Sequence, residues 1–222
     1  LRGPRKSSKP PGGAEPQPGA PSSSSAKITQ GKARASRPRK RLPHFDSQHA
    51  YQFVTFRLAD SLPREKLSQM EAELRPRPDD QRKRIEFWLD SGLGCCALRH
   101  PVMAQVMQDT LQHFDGQRYH LLAWCIMPNH VHVLIETLAP LAKIVQSWKS
   151  FTGRWALQHA AELELGVPGE KFWMRDYWDR YIRNERHFLA VVDYIHANPA
   201  KAGLCAQPAD WRWSSARAGA GP

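Results

Sequence analysis

Three segments of the sequence have the side-chain pattern of β-strands. Residues 51–56 form a short run of aromatic and β-branched side chains, and residues 119–127 are apolar on both faces, as in the centre of a sheet. Residues 129–136 alternate regularly between two kinds of side chain, as expected of a strand with two different faces. The pattern therefore predicts at least three strands.

The alternation in the third segment assigns its side chains to opposite faces of a sheet. Val131 and Val133 share one face and are predicted to pack in a core, so His130 and His132 project from the other face. The Cα atoms of the two histidines are then about 7 Å apart, because a strand advances about 3.3 Å per residue, and both rings can reach one metal ion. Taken alone, this spacing favours ordinary sheet-face histidines over a metal site.

Three other segments repeat their apolar residues with the period of an amphipathic helix. They lie within residues 101–114, 141–155 and 188–198, and the last is predicted to end where Pro199 follows. Residues 75–84 contain two prolines and mixed charges, which predicts a loop. Strands and helices in this order favour an antiparallel sheet with helices on one face, an α+β arrangement.

The positive charge of the chain is concentrated at one end. The 222 residues include 32 Lys and Arg against 21 Asp and Glu, a formal charge of +11, and residues 1–44 hold eleven of these bases and one acid. This segment is rich in Pro, Gly and Ser and cannot bury enough apolar surface to offset the entropy of ordering. We expect a disordered basic arm over residues 1–44, a folded domain over 45–216 and a flexible tail over 217–222.

The cysteines and the apolar runs indicate where the protein acts. Its four cysteines form no CxxC pair, so neither a disulfide framework nor an all-cysteine zinc site is predicted, and a reducing cytosol is expected. The longest apolar stretches are far shorter than the roughly 20 residues that a membrane span requires. No association with a membrane is expected.

The histidine segment belongs to a longer string that resembles a known family. Residues 127–132, Met-Pro-Asn-His-Val-His, resemble the MPNHVH signature of the IS200-like single-tyrosine HUH transposases. Two later segments are similar to the REP-associated tyrosine transposase (RAYT) branch of that family, and another resembles the segment that holds its nucleophilic tyrosine. The matching motifs span about residues 45–216 and lie at residues 122–135, 172–183, 194–204 and 211–215, with shorter matches at 87–90 and 147–151.

The resemblance implies a ferredoxin-like or RRM-like α+β domain, the HUH endonuclease fold, that cleaves and rejoins single-stranded or hairpin-forming DNA. In such enzymes the two histidines, here His130 and His132, hold a divalent metal, usually Mg²⁺ or Mn²⁺, and a tyrosine forms a 5′-phosphotyrosine. No nucleotide cofactor is needed. The implied partner is DNA, encountered in the bacterial cytoplasm and nucleoid by a monomer or a homodimer.

Two tyrosines are candidates for the nucleophile that the resemblance implies. Tyr177 and Tyr181 lie four residues apart and would share a face if their segment is helical. Tyr177 is preferred because it stands two residues before Asp179, as in the family's Y-x-D arrangement. Many relatives have histidine where this chain has Arg180, so Asp179 is the candidate for a third, oxygen metal ligand. The cations that could neutralise DNA phosphates are Lys149, Arg154, Arg175, Arg180 and Arg183.

Two other functions are compatible with such a fold. The first is non-catalytic: an RRM-like module that binds nucleic acid, or a domesticated regulator that keeps the fold without the chemistry. The second is a metal-dependent RNA endonuclease, which would cut without forming a covalent protein adduct. The transposase reaction requires His130, His132 and a tyrosine in one site, whereas a binding module requires exposed aromatic residues on the sheet and no metal.

Overall fold

A computed structural model describes most of the chain. The described residues are 49–62, 65, 68 and 78–217. The predicted basic arm, residues 1–44, lies outside them, and so does the predicted tail, residues 217–222, apart from Arg217. None of the helices among the described residues is long and apolar enough to cross a membrane, and the four cysteines are free thiols.

Four strands in the described part of the chain form one antiparallel sheet. They are β1 (Tyr51–Arg57), β2 (Tyr119–Ile126), β3 (His130–Thr137) and β4 (Trp178–Tyr181). Their order across the sheet is β2-β3-β1-β4. The three predicted strands are confirmed, each within one residue of its expected ends. The segment around Tyr177 and Tyr181 supplies the edge strand β4, so it is extended and not helical.

Four α-helices among the described residues accompany the sheet. They are α1 (Pro78–Asp90), α2 (Pro101–Gln112), α3 (Leu141–His159) and α4 (Glu185–Lys201). The loop predicted over residues 75–84 is wrong from residue 78 onward, because proline is tolerated at a first helical position, where its missing N–H has no helical acceptor. α4 does not end before Pro199 but continues through it, and Pro199 itself is buried.

One face of the sheet packs against α2 and α3. Val131 and Val133 of β3 lie fully buried on this face, which confirms the prediction from their alternation. Across this core, the Trp148 Nε1 donates to the Tyr119 hydroxyl at 3.0 Å, and that hydroxyl donates to the Leu111 carbonyl at 2.6 Å. These two hydrogen bonds join α3, β2 and α2.

α4 covers the opposite face of the sheet. Its Val191 and Ile195 pack with Leu134 of β3 in a second, smaller core. The α+β fold class is confirmed, but helices lie on both faces and not on one, because the second face also carries apolar side chains that must be buried. His130 and His132 lie on this second face, under α4.

The N-terminus of α4 offers a test of how this helix is stabilised. The Asn184 side chain accepts a hydrogen bond from the His187 amide at 2.9 Å and thereby caps the helix. Asn184→Ala should lower the free energy of unfolding by about 1 kcal/mol, because that amide loses its acceptor. Asn184→Asp keeps an acceptor and should unfold in urea close to wild type. An aspartate variant as unstable as the alanine variant would contradict the capping role.

Candidate active site

The site is built around the two histidines of β3. His130 and His132 are each 1% exposed. Their Nε2 atoms are 3.0 Å apart, and their rings stand nearly perpendicular, at 81°. Because alternate residues of a strand share a face, the two rings point toward the same space between the sheet and α4.

The protonation of His130 follows from its neighbour Asn129. The Asn129 Nδ2 donates to the backbone carbonyls of Leu89 at 3.1 Å and Leu93 at 2.9 Å, so its Oδ1 is the atom that faces the His130 Nδ1, at 2.7 Å. That Nδ1 must therefore carry the proton and donate it. Burial lowers the pKa of His130 to about 3, so the ring is neutral and its Nε2 presents a lone pair.

His132 is held from its far side by a hydroxyl group. The Thr55 Oγ1 on β1 lies 2.8 Å from the His132 Nδ1. A hydroxyl can donate or accept, so His132 can carry its proton on either ring nitrogen. When the Nδ1 donates to Thr55, the His132 Nε2 also presents a lone pair toward His130. Two lone pairs 3.0 Å apart repel each other unless a cation lies between them.

Two side chains of α4 contact His132 from the other side. The Tyr194 ring packs edge-on against the His132 ring, with centroids 5.4 Å apart. Asn198, one helical turn later and 1% exposed, has its Nδ2 3.2 Å from the His132 Nε2, while its Oδ1 is buried without a hydrogen-bond partner. The Lys201 Nζ lies 5.6 Å from the centre of the Tyr194 ring. One face of α4 therefore brings a phenol, an amide and an ammonium group to the histidines.

Asp90, the last residue of α1, approaches from a third direction. Its Oδ1 lies 3.8 Å from the His130 Nε2 and is buried without a hydrogen-bond partner. Burial, and then the neighbouring charge of Glu86, raises the pKa of Asp90 to about 6, against a partial opposing effect of Lys201. Because His130 is neutral, this contact is not an ion pair.

The donor atoms fit a divalent cation. Two nitrogen atoms bound at right angles to one ion, each about 2.1 Å from it, are about 3.0 Å apart, which is the observed separation of the two Nε2 atoms. Turning the Asn198 amide, whose oxygen and nitrogen exchange places, directs its Oδ1 to the same point. Histidine, cysteine, aspartate and glutamate alone form no group of three in the described chain that could hold a metal. The amide is therefore the nearest third donor.

Three of the predicted site residues lie on the opposite face of the sheet from the histidines. Asp179 pairs with Val54, which in turn pairs with Val133, so its side chain points toward the α2 and α3 side. Tyr181 shares that face because it is two residues further along β4. Tyr177 is buried in the core of the same face. The structure thus does not bring Tyr177, Tyr181 or Asp179 to His130 and His132.

The predicted DNA-binding cations fall into two groups. Lys149, Arg154 and Arg175 line a cavity of about 550 Å³ beside α3, and Arg180 and Arg183 line one of about 410 Å³ near the start of α4. The Lys149 Nζ donates to the backbone carbonyls of Met174 at 2.6 Å and Arg175 at 2.8 Å. These two hydrogen bonds give the Lys149 amine a structural role, and burial lowers its pKa to about 8.

Sequence reasoning missed Tyr194, Asn198 and Asp90. Helical spacing is the signal that could have found the first two, because they share one helix face with the apolar Val191 and Ile195. That apolar face must turn toward the sheet, and it carries the tyrosine and the amide with it. Asp90 lies in the short segment 87–90 that resembles the family, but no spacing linked it to the histidines, and the first half of its helix was predicted to be a loop.

Comparisons with known proteins show what the segment that holds this site is similar to. Residues 96–198 match the family described as Transposase IS200 like. A REP-associated tyrosine transposase of Escherichia coli strain K12 is 30% identical over 102 residues, which are 44% of this chain and 54% of that protein. A putative REP-associated tyrosine transposase of Haemophilus influenzae is 25% identical over 118 residues, 49% of this chain and 63% of that protein. The chain thus spans less than two thirds of either relative.

A solved structure also aligns with the fold. The structure of a REP-associated tyrosine transposase bound to a REP hairpin aligns with a TM-score of 0.49 at 19% identity, over 79% of this chain and 82% of that one. The residues matched by the family description include the paired histidines of β3 as well as Tyr194 and Asn198 of α4. Residues 96–198, which hold the histidines, Tyr194 and Asn198, therefore match the IS200-like transposase family.

Proposed function

We propose that this protein is a transposase that cleaves and rejoins single-stranded, hairpin-forming DNA through a covalent bond to Tyr194. The observation that carries the proposal is the position of Tyr194, whose ring packs on His132 while Asn198, one turn later, contacts the same imidazole. Hairpin-forming DNA is the substrate class because the chain resembles the REP-associated branch of its family. This proposal replaces Tyr177 by Tyr194 as the nucleophile.

A tyrosine nucleophile gives this site a reaction that needs no nucleotide cofactor. The Tyr194 hydroxyl attacks the scissile phosphorus, the bond from phosphorus to the 3′ oxygen breaks, and the phenolic proton ends on the departing 3′-hydroxyl. The product is a 5′-phosphotyrosine, which keeps the energy of the phosphodiester bond. Attack by a 3′-hydroxyl on this bond then joins the strands and releases the tyrosine. The rejoining step distinguishes a transposase from a hydrolytic nuclease.

His130, His132 and the Asn198 amide are the residues that would hold the metal ion. Mg²⁺ or Mn²⁺ bound there would stabilise the negative charge that develops on the phosphate in the transition state. Asn129 and Thr55 orient the two rings from behind, as second-sphere partners of metal-binding histidines commonly do.

The assignment of the nucleophile can be tested by trapping the adduct. Wild-type protein, incubated with Mn²⁺ and a hairpin oligonucleotide labelled at its 3′ end, should carry the label on a denaturing gel. Tyr194→Phe removes only one hydroxyl and should lose the adduct while it keeps its DNA affinity. Tyr177→Phe and Tyr181→Phe should keep the adduct, because these side chains face the other side of the sheet.

The same gel separates the other functions of this fold. An adduct that survives Tyr194→Phe but disappears with Tyr177→Phe would overturn the assignment of Tyr194. Efficient cutting of DNA or RNA with no adduct in the wild type would indicate a hydrolytic nuclease. Tight binding of the hairpin with no cutting in Mn²⁺ would indicate a non-catalytic nucleic-acid-binding module.

Metal binding has its own test, independent of DNA. Addition of Mn²⁺ to chelator-treated protein should raise the melting temperature, because an ion that binds only the folded state stabilises it by about 2.7 kcal/mol at 100 times its Kd. His130→Ala and His132→Ala should lose most of this rise. His120→Ala is the matched control, since His120 is an exposed histidine of the adjacent strand β2. An equal rise in all four proteins would argue against the histidine site.

A further inference from the structure

We propose that Asp90 contributes a carboxylate ligand to the divalent ion at the histidine site and makes the site selective for Mg²⁺ or Mn²⁺. This inference rests on the proposed function, because it assumes that an ion is bound by His130 and His132. Asp90 precedes the residues that match the family, which begin at residue 96. The carboxylate comes from the end of α1, in the short segment 87–90 that precedes those residues.

The end of α1 is tied directly to the histidine strand. The Asn129 Nδ2 donates to the carbonyls of Leu89 and Leu93, residues on either side of Asp90, while the Asn129 Oδ1 accepts from His130. Leu89 is fully buried and anchors the last turn of the helix. The Asn129 side chain thus holds the end of α1, which carries Asp90, in a fixed position relative to His130.

The carboxylate faces the histidine with the wrong chemistry for a direct hydrogen bond. The Asp90 Oδ1 lies 3.8 Å from the His130 Nε2 and is buried without a hydrogen-bond partner. The His130 proton is on the Nδ1, where Asn129 accepts it. The Asp90 Oδ1 and the His130 Nε2 therefore both present lone pairs. The His132 Nε2 lies 3.0 Å from the His130 Nε2. Such a set of atoms is complementary to a cation, whereas two lone pairs repel each other.

The chemistry of the donors explains what Asp90 would add. Two imidazoles and an amide are all neutral, and nitrogen-rich sites suit Zn²⁺ better than Mg²⁺ or Mn²⁺, which prefer oxygen. A carboxylate supplies both an oxygen atom and a negative charge. The 3.8 Å separation lies between the spacings of neighbouring and opposite ligands of an octahedral ion, about 3.0 and 4.2 Å. Asp90 does not form a compact group with both histidines in the described structure, so ligation by Asp90 would require its carboxylate to move toward them.

α1 also provides a matched control. Glu86 lies one turn before Asp90 on the same helix and is close enough to affect the ionisation of Asp90 electrostatically. Glu86→Gln removes the same charge from nearly the same region, so it reports long-range electrostatics without ligation. Asp90→Asn has nearly the same shape as the wild-type side chain, and it removes the charge of a carboxylate whose Oδ1 is buried without a hydrogen-bond partner. The metal-free Asp90→Asn protein should therefore melt at or above the temperature of the wild type.

The experiment is a calorimetric titration of the metal-free full chain with Mn²⁺, and separately with Zn²⁺. Asp90→Asn should weaken Mn²⁺ binding by about 10- to 100-fold, and it should weaken Zn²⁺ binding less. Glu86→Gln should leave both affinities close to those of the wild type. The melting temperature of each metal-free protein shows whether the variant is folded.

Each outcome bears on a different claim. If the wild type binds Mn²⁺ and Asp90→Asn binds it equally well, the role of Asp90 is overturned while the proposed function stands. Equal losses in Asp90→Asn and Glu86→Gln would also overturn it, because they would show a general effect of charge. A wild type that binds neither ion removes the metal site itself, and the proposed function with it.

Discussion

The hydrogen bonds behind the two imidazoles are the interactions on which the site depends. Asn129 uses both N–H groups on carbonyls of Leu89 and Leu93, and this leaves its oxygen to accept from His130. Thr55, on the neighbouring strand, holds the Nδ1 of His132. Because the Nδ1 atoms of both buried rings are engaged in these hydrogen bonds, only the Nε2 atoms face the site, and they lie 3.0 Å apart.

The sheet and two helices contribute different chemistry to this point. β3 supplies the two imidazole Nε2 atoms on a strand with neighbours on both sides, which keeps their spacing nearly constant. α4 supplies a phenol and an amide from one face, so its docking on the sheet brings both groups to His132. The last residue of α1 adds a carboxylate. A change in the position of either helix would alter the site without altering the strands.

The sheet also separates two environments that look alike in sequence. Tyr177 and Tyr194 both lie among apolar and aromatic residues, but one is buried on the α2 and α3 side and the other packs on His132. Three of the predicted cations, Lys149, Arg154 and Arg175, line the cavity on the Tyr177 side. The register of β4 sets the side that Tyr177 faces, whereas the docking of α4 sets the side that Tyr194 faces.

The sequence by itself determined three of the four strands, the in-and-out pattern of β3 and the placement of His130 and His132 on one face, because a period of two holds in any strand. It also carried the likeness to the IS200-like family. Local pattern could not show which tyrosine lies beside the histidines, because β4 pairs Asp179 with Val54 through a long-range register, and Tyr194 reaches His132 only when α4 docks. Asp90 lies near His130 because the carbonyl of the preceding residue, Leu89, accepts a hydrogen bond from Asn129, 40 positions away in the sequence. Such contacts depend on how distant elements pack, so the tertiary structure alone decided them.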